Sequence, residues 1–202
     1  MKRILFTILL VLLLPLFLHA FLHAKEYRAN ETKSCSSFRF RNAMCDLNDK
    51  LITGKVKSYY ENGNLHKETS YKNGKKNGIE TTYSLKGNLL SEDHFVDGEK
   101  NGIQKSYYDD QAVDYPKGTP LQMEAYAKNG KIDGVVKMYY EDGGLKFEGS
   151  FENDIPVGIH KEYYKDGTLL MEIPYQNGIE NGIKRRYHHG ALWQETPYKT
   201  GK

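Results

Sequence analysis

Side chains able to do chemistry are few in this 202-residue chain, and their spacing suits none of the common reactions. A transition-metal site needs three or four ligands converging at about 2 Å on one point. His188 and His189 are adjacent and would point to opposite faces of a strand, while His66, His94 and His160 fall at unrelated places. Asp109, Asp110 and Asp114 cluster, but their spacing fits no EF-hand loop. Cys35 and Cys45 have no neighbouring histidine to complete a ligand set. Nucleophile elbows, phosphate-cradling glycine loops and Cys–His pairings are lacking. Catalytic carboxylates are singular, with pKa values pushed apart by their surroundings, whereas the glutamates here recur at a fixed period. The expectation is a protein with no catalytic residue, no cofactor and no metal.

The period itself carries the information. Gly54, Gly78, Gly102, Gly134, Gly158 and Gly182 each open a copy of one pattern, with intervals of 24, 24, 32, 24 and 24 residues. Counting from each glycine as position 0, position 1 is aliphatic in five copies and position 3 is basic in five. Position 5 is tyrosine in all six: Tyr59, Tyr83, Tyr107, Tyr139, Tyr163 and Tyr187. A turn signal follows, Asn62-Gly63, Asp142-Gly143 or Asp166-Gly167, and then a second run with a leucine, a glutamate and usually an aromatic. The unit reads as strand, tight two-residue turn, strand. Units this short cannot bury a core alone and must stack. The predicted fold is all-β: an elongated, twisted antiparallel sheet of successive β-hairpins over residues 54–202.

A two-residue turn at Asn62-Gly63 sets Tyr60 opposite Leu65 and Lys57 opposite Glu68. The same rule pairs Tyr140 with Leu145 and Lys137 with Glu148, then Tyr164 with Leu169 and Lys161 with Glu172. The last copy is one residue shorter before its turn, and centring it on His189-Gly190 opposes Lys184 and Glu195. Cross-strand ion pairs of this kind contribute about 0.2–1 kcal/mol each. One face then carries the position-1 aliphatic, the Lys–Glu pair and the first tyrosine. The other carries the second tyrosine (Tyr60, Tyr108, Tyr140, Tyr164), the leucine and the later aromatic. Asn73-Gly74-Lys75-Lys76-Asn77-Gly78 and its relatives form a second turn, between copies, whose register the sequence leaves open.

The N-terminus reads as an export signal: Lys2 and Arg3 precede an apolar run from Ile4 to Leu18, with small residues at Ala20 and Ala24. Residues 1–24 form the expected signal peptide, and an uncleaved membrane anchor is the alternative. Residues 25–53 make a separate N-terminal segment in which, for an exported chain, Cys35 and Cys45 are expected to form a disulfide. Losing residues 1–24 removes Lys2 and Arg3 and no acid, taking the net charge from +3 to +1. That argues against nucleic acid as a partner and gives little attraction to an anionic membrane surface.

The recurring G-[IV]-x-K-x-Y-Y-x-[ND]-G-x-L-x-x-E-x-x-[YF]-x-N-G resembles the bacterial variant of the MORN repeat, as found in the YwqK antitoxin family. The resemblance implies a sheet of successive hairpins, no enzymatic activity, and a role in protein contact. For antitoxin members it implies neutralisation of a partner toxin, and MORN repeats are also linked to membrane lipids. The candidate binding surface is Tyr60, Tyr108, Tyr140 and Tyr164, whose rings offer large contact area at low entropic cost; packing of the sheet against itself is the alternative use. Asp109, Asp110 and Tyr115 join them because the third copy, eight residues longer, breaks the array there.

Overall fold

The structure is a computed structural model and describes residues 26–34, 43–109 and 118–199. Short β-prone runs cut by Gly, Asn and Asp fold into β1 (Glu26–Arg28), β2 (Thr32–Ser34), β3 (Met44–Asp46), β4 (Gly54–Tyr59), β5 (Leu65–Lys72), β6 (Lys75–Tyr83), β7 (Leu89–Val96) and β8 (Glu99–Tyr107). The run continues with β9 (Leu121–Lys128), β10 (Lys131–Tyr139), β11 (Leu145–Glu152), β12 (Ile155–Tyr163), β13 (Leu169–Gln176), β14 (Ile179–Glu180), β15 (Gly182–His188) and β16 (Ala191–Tyr198). Six hairpins, from β4/β5 to β15/β16, join edge to edge and, with β1 beside β4 and β14 as a short extra partner of β13, make one 14-stranded sheet. The predicted architecture of hairpins side by side is the observed one. At ordinary strand spacing the sheet is about 58 Å across.

Register confirms the charged pairs of the first, fourth and fifth copies and corrects the turns. Lys57 faces Glu68, Lys137 faces Glu148 and Lys161 faces Glu172, as expected. Beyond them the ladder slips by one residue, so Leu65, Leu145 and Leu169 face Tyr59, Tyr139 and Tyr163 rather than Tyr60, Tyr140 and Tyr164. The cause lies in the turn. The Tyr60 N–H donates to the Asn64 carbonyl, the Gly63 N–H donates to the Tyr60 carbonyl, and within this turn positive φ falls on Gly63 and not on Asn62. This is a three-residue loop with a glycine bulge, whereas a two-residue turn of the primed type needs both central residues at positive φ. Primed turns occupy the junctions between copies instead: Asn73-Gly74 (φ 51 and 77), Asp97-Gly98 (51 and 97) and Asn177-Gly178 (52 and 85). The last hairpin does turn at His189-Gly190 (51 and 78), but a bulge after Arg186 places Glu195 opposite Arg185, and Lys184 faces Thr196.

The opening glycines Gly78, Gly102, Gly134 and Gly158 each mark a second bulge. Lys100 pairs with Phe95 and Gln104 with Asp93, so residues 101–103 crowd opposite His94 alone. Gly102 sits at φ +113, where a Cβ would meet the His94 Cβ at 3.1 Å. Only glycine fits both the angle and the gap.

Burial follows a single row of the sheet. Val56, Thr69, Glu80, Gln104, Ala125, Val136, His160 and Ile173 are each less than 10% exposed and lie in register across it. These are position 2 of each copy and its partners, so the core is one stripe flanked by Tyr71, Phe95, Phe151 and Tyr175. At the N-terminal end β1 pairs parallel with β4, and β2/β3 form a small separate sheet. Met44 and Ile52 bond the Asn73-Gly74 turn: the Met44 N–H donates to the Gly74 carbonyl and the Gly74 N–H to the Ile52 carbonyl, both at 2.7 Å. Cys45 and Ile52 are wholly buried there. The expected partner of Cys45, Cys35, lies outside the described residues, as do the export signal and residues 110–117.

Candidate binding surface

Strand alternation places positions 1, 3 and 5 on one face, and the register aligns them into continuous rows. In the position-3 row opposite charges alternate from strand to strand. Lys105 faces Glu124, Lys137 lies between Glu124 and Glu148, Lys161 between Glu148 and Glu172, and Arg185 between Glu172 and Glu195. Direct contacts include Lys57–Glu68 at 3.4 Å, Lys105–Glu124 at 3.9 Å and Arg185–Glu195 at 2.8 Å. The row breaks in the second copy, where Thr81 stands between Glu68 and Glu92. There Lys55 approaches Glu68 at 2.6 Å and Tyr107 donates to Glu92 at 2.7 Å.

In the third, fifth and sixth copies the first tyrosine reaches back to the glutamate of the copy before. Tyr107 donates to Glu92, Tyr163 to Glu148 and Tyr187 to Glu172, at 2.7, 2.8 and 2.9 Å. Burial, followed by this bond to a carboxylate, pushes the Tyr163 phenol up to about 12.

Beside the charged row runs an apolar one. Ile79, Ile103, Val135, Ile159 and Ile183 are 42–54% exposed and extend over eight strand spacings from β6 to β15, about 38 Å. Tyr126, which faces Ile103, is 45% exposed, and Pro174 faces Ile159. The row is interrupted by His94 opposite Ile79 and Ser150 opposite Val135, and exposed aliphatics aligned in this way cost solvation.

The tyrosines singled out in the sequence are half-buried, and their hydroxyls tie copy to copy. Tyr60 donates to the Tyr83 carbonyl at 2.8 Å, Tyr108 to Tyr139 at 2.6 Å, Tyr140 to Tyr163 at 2.7 Å and Tyr164 to Tyr187 at 3.2 Å. Burial, followed by Glu141 and Asp142, raises the Tyr108 phenol. Ring surface is what these residues still offer to a partner. Tyr164 also lines a 350 Å³ recess with Leu170, Arg186, Tyr187, His188 and Trp193. Asp109 is exposed where the long loop leaves the sheet, and the Tyr108 N–H donates to the Pro120 carbonyl, closing that loop as the shorter ones close. Asp110 and Tyr115 lie outside the described residues.

The opposite face holds polar groups that sequence patterning did not single out. Position 2 varies through Val56, Glu80, Gln104, Val136, His160 and Lys184, so no periodic apolar signal could reveal it as the core. Glu80 accepts from Thr69 at 2.8 Å and pairs with Lys76 at 2.6 Å. Burial lifts its carboxyl, but the Lys76 and Thr69 hydrogen bonds and the Lys76 and Lys67 charges outweigh that, and the net direction is down. The His160 ring packs among Phe147, Phe151 and Tyr175, with its Nε2 2.9 Å from the Ser150 carbonyl. His188 and His189 meet ring to ring at 4.2 Å because His189 leaves the strand for the turn at φ 51, while His188 ends β15. Among the described residues no three His, Cys, Asp or Glu side chains are placed to hold a metal ion.

A single sheet built from hairpins of one sequence pattern defines a hairpin-repeat protein. Four of its segments, residues 52–73, 76–97, 132–153 and 156–177, match the MORN repeat variant, so the chain carries repeats of that type. These are the first, second, fourth and fifth hairpins. The two unmatched hairpins are those whose turns depart from the pattern, by the eight added residues in the third and the shortened turn in the sixth. No curated protein matches the chain.

Proposed function

We propose that this chain is a non-enzymatic, exported repeat protein that captures another protein on the face bearing the aliphatic and charged rows. The aliphatic row carries the reading: five side chains, each 42–54% exposed and aligned over several hairpins, offer a rigid apolar strip beside a row of fixed charges. The rings of Tyr107, Tyr163 and Tyr187 contribute on the same face, while their hydroxyls bond the glutamates of the neighbouring copies. Export rests on Lys2, Arg3 and the apolar run that follows them. Neutralisation of a toxin, the role implied by resemblance to the YwqK antitoxin family, is the special case in which the captured protein is a toxin. In affinity capture with the Ile103→Asp/Ile159→Asp variant, the bound protein is lost while the circular dichroism spectrum is kept. Equal capture by both forms, or retention by lipid vesicles with no protein captured, rejects the reading.

A further inference from the structure

We infer that the outer edge of β16 is an acceptor for one more strand, supplied by a partner as an extended segment reading aliphatic–x–Lys/Arg–x–Tyr. The inference is separate from capture on the broad face, because it concerns backbone at one end of the sheet.

The array states its own rule. Each interior glutamate of the charged row after the second hairpin has a basic residue on both sides: Glu124 lies between Lys105 and Lys137, Glu148 between Lys137 and Lys161, and Glu172 between Lys161 and Arg185. Glu148 and Glu172 also accept a tyrosine hydroxyl from the strand that follows. Glu195, last in the row, pairs with Arg185 at 2.8 Å on its inner side, and its side chain is 46% exposed. No described strand lies beyond it. Seven of the eight residues of β16 are exposed, including Trp193 at 70% and Leu192 at 52%. An eight-residue edge with unpaired backbone groups is a template for strand addition. Charge and geometry then fix the occupant. Neighbouring strands from β4 to β16 run antiparallel, so the incoming segment runs antiparallel to β16. It places its basic residue opposite Glu195, its tyrosine hydroxyl on the same carboxylate, and its aliphatic beside Pro197. This is the relation that Arg185 and Tyr187 hold to Glu172, with the Ile183 strand entering at Gly182 against Pro174.

The test uses the full-length chain and a synthetic peptide with the sequence Gly182–His188, which contains the required pattern. Trp193 is the single tryptophan and sits on the edge, so its fluorescence reports the contact directly. The expected results are a saturable Trp193 change and slowed hydrogen exchange along β16. Glu195→Lys weakens binding at least about fivefold and gains binding to the peptide carrying Glu in place of its central Arg. Glu195→Gln, which removes charge without reversing it, falls between. Ile103→Asp/Ile159→Asp leaves peptide binding unchanged, separating this inference from the broad-face reading. The inference is overturned by no saturable change up to ~1 mM peptide, by equal binding of both peptides, or by β16 amides already protected in a self-associated chain, which would make a second copy the occupant.

Discussion

Hydroxyl and carboxylate partners decide what each polar side chain of this sheet does. Tyrosines at position 6 spend their hydroxyls on the backbone of the next copy, and Tyr107, Tyr163 and Tyr187 at position 5 on the carboxylate of the copy before. Neither bond is visible in a single copy, since both join residues 15 or more apart. Glu80 is a buried carboxylate held below its ordinary range, so its ionisation is coupled to folding. Its folded pKa lies below the ordinary 4.5, so its stabilising contribution is complete above that value and is lost as pH falls through the lower, folded one. The expected outcome is that Glu80→Gln lowers stability at neutral pH by about 1–3 kcal/mol. The same variant should lose less of its urea midpoint than the native chain between about pH 5 and about pH 3. Parallel pH profiles for the two would show that Lys76 and Thr69 hold no ionised carboxylate there.

At the scale of the hairpin, glycines of the two bulges are not equivalent. Gly143 occupies φ +88, and a Cβ added there would meet nothing within 4 Å, while Gly102 combines φ +113 with His94 Cβ at 3.1 Å. Gly143→Ala is expected to cost about 1 kcal/mol from backbone strain alone, and Gly102→Ala about 2 kcal/mol or more because His94 or the strand must also move. Thermal melts of the two variants rank them, and a larger loss for Gly143→Ala would contradict the assignment of the bulges. Hairpins were legible because turn signals and β-prone runs are local. The choice between a two-residue turn and a bulged three-residue loop was not. Asn62-Gly63 and Asn73-Gly74 are the same dipeptide, and the strands on either side decide whether the asparagine takes positive φ.

Over the whole molecule, each hairpin touches its two neighbours, so stability is a sum of units and junctions. Removing residues 78–101 joins Asn77 to Gly102, a junction of the same sequence as the one deleted. The shortened chain is expected to fold cooperatively, with its urea m-value reduced by roughly one repeat's share of buried surface. Loss of a cooperative transition would mean that the second hairpin, with its Thr81 break and its Lys76–Glu80 pair, is indispensable rather than modular. The same reasoning places the N-terminal segment: Met44 and Ile52 clamp the first junction turn, a contact no periodicity announced.

Strand–turn–strand units, the Lys–Glu register of the first, fourth and fifth copies and the all-β class came from the sequence alone, because each depends on residues within one copy. Alignment of those pairs into a charge row, the exposed aliphatic row, the buried position-2 stripe and the open edge at Glu195 appeared only once copies were set side by side. Their physical cause is hydrogen bonding between hairpins, which fixes one copy against the next to the residue, and no single copy contains that information.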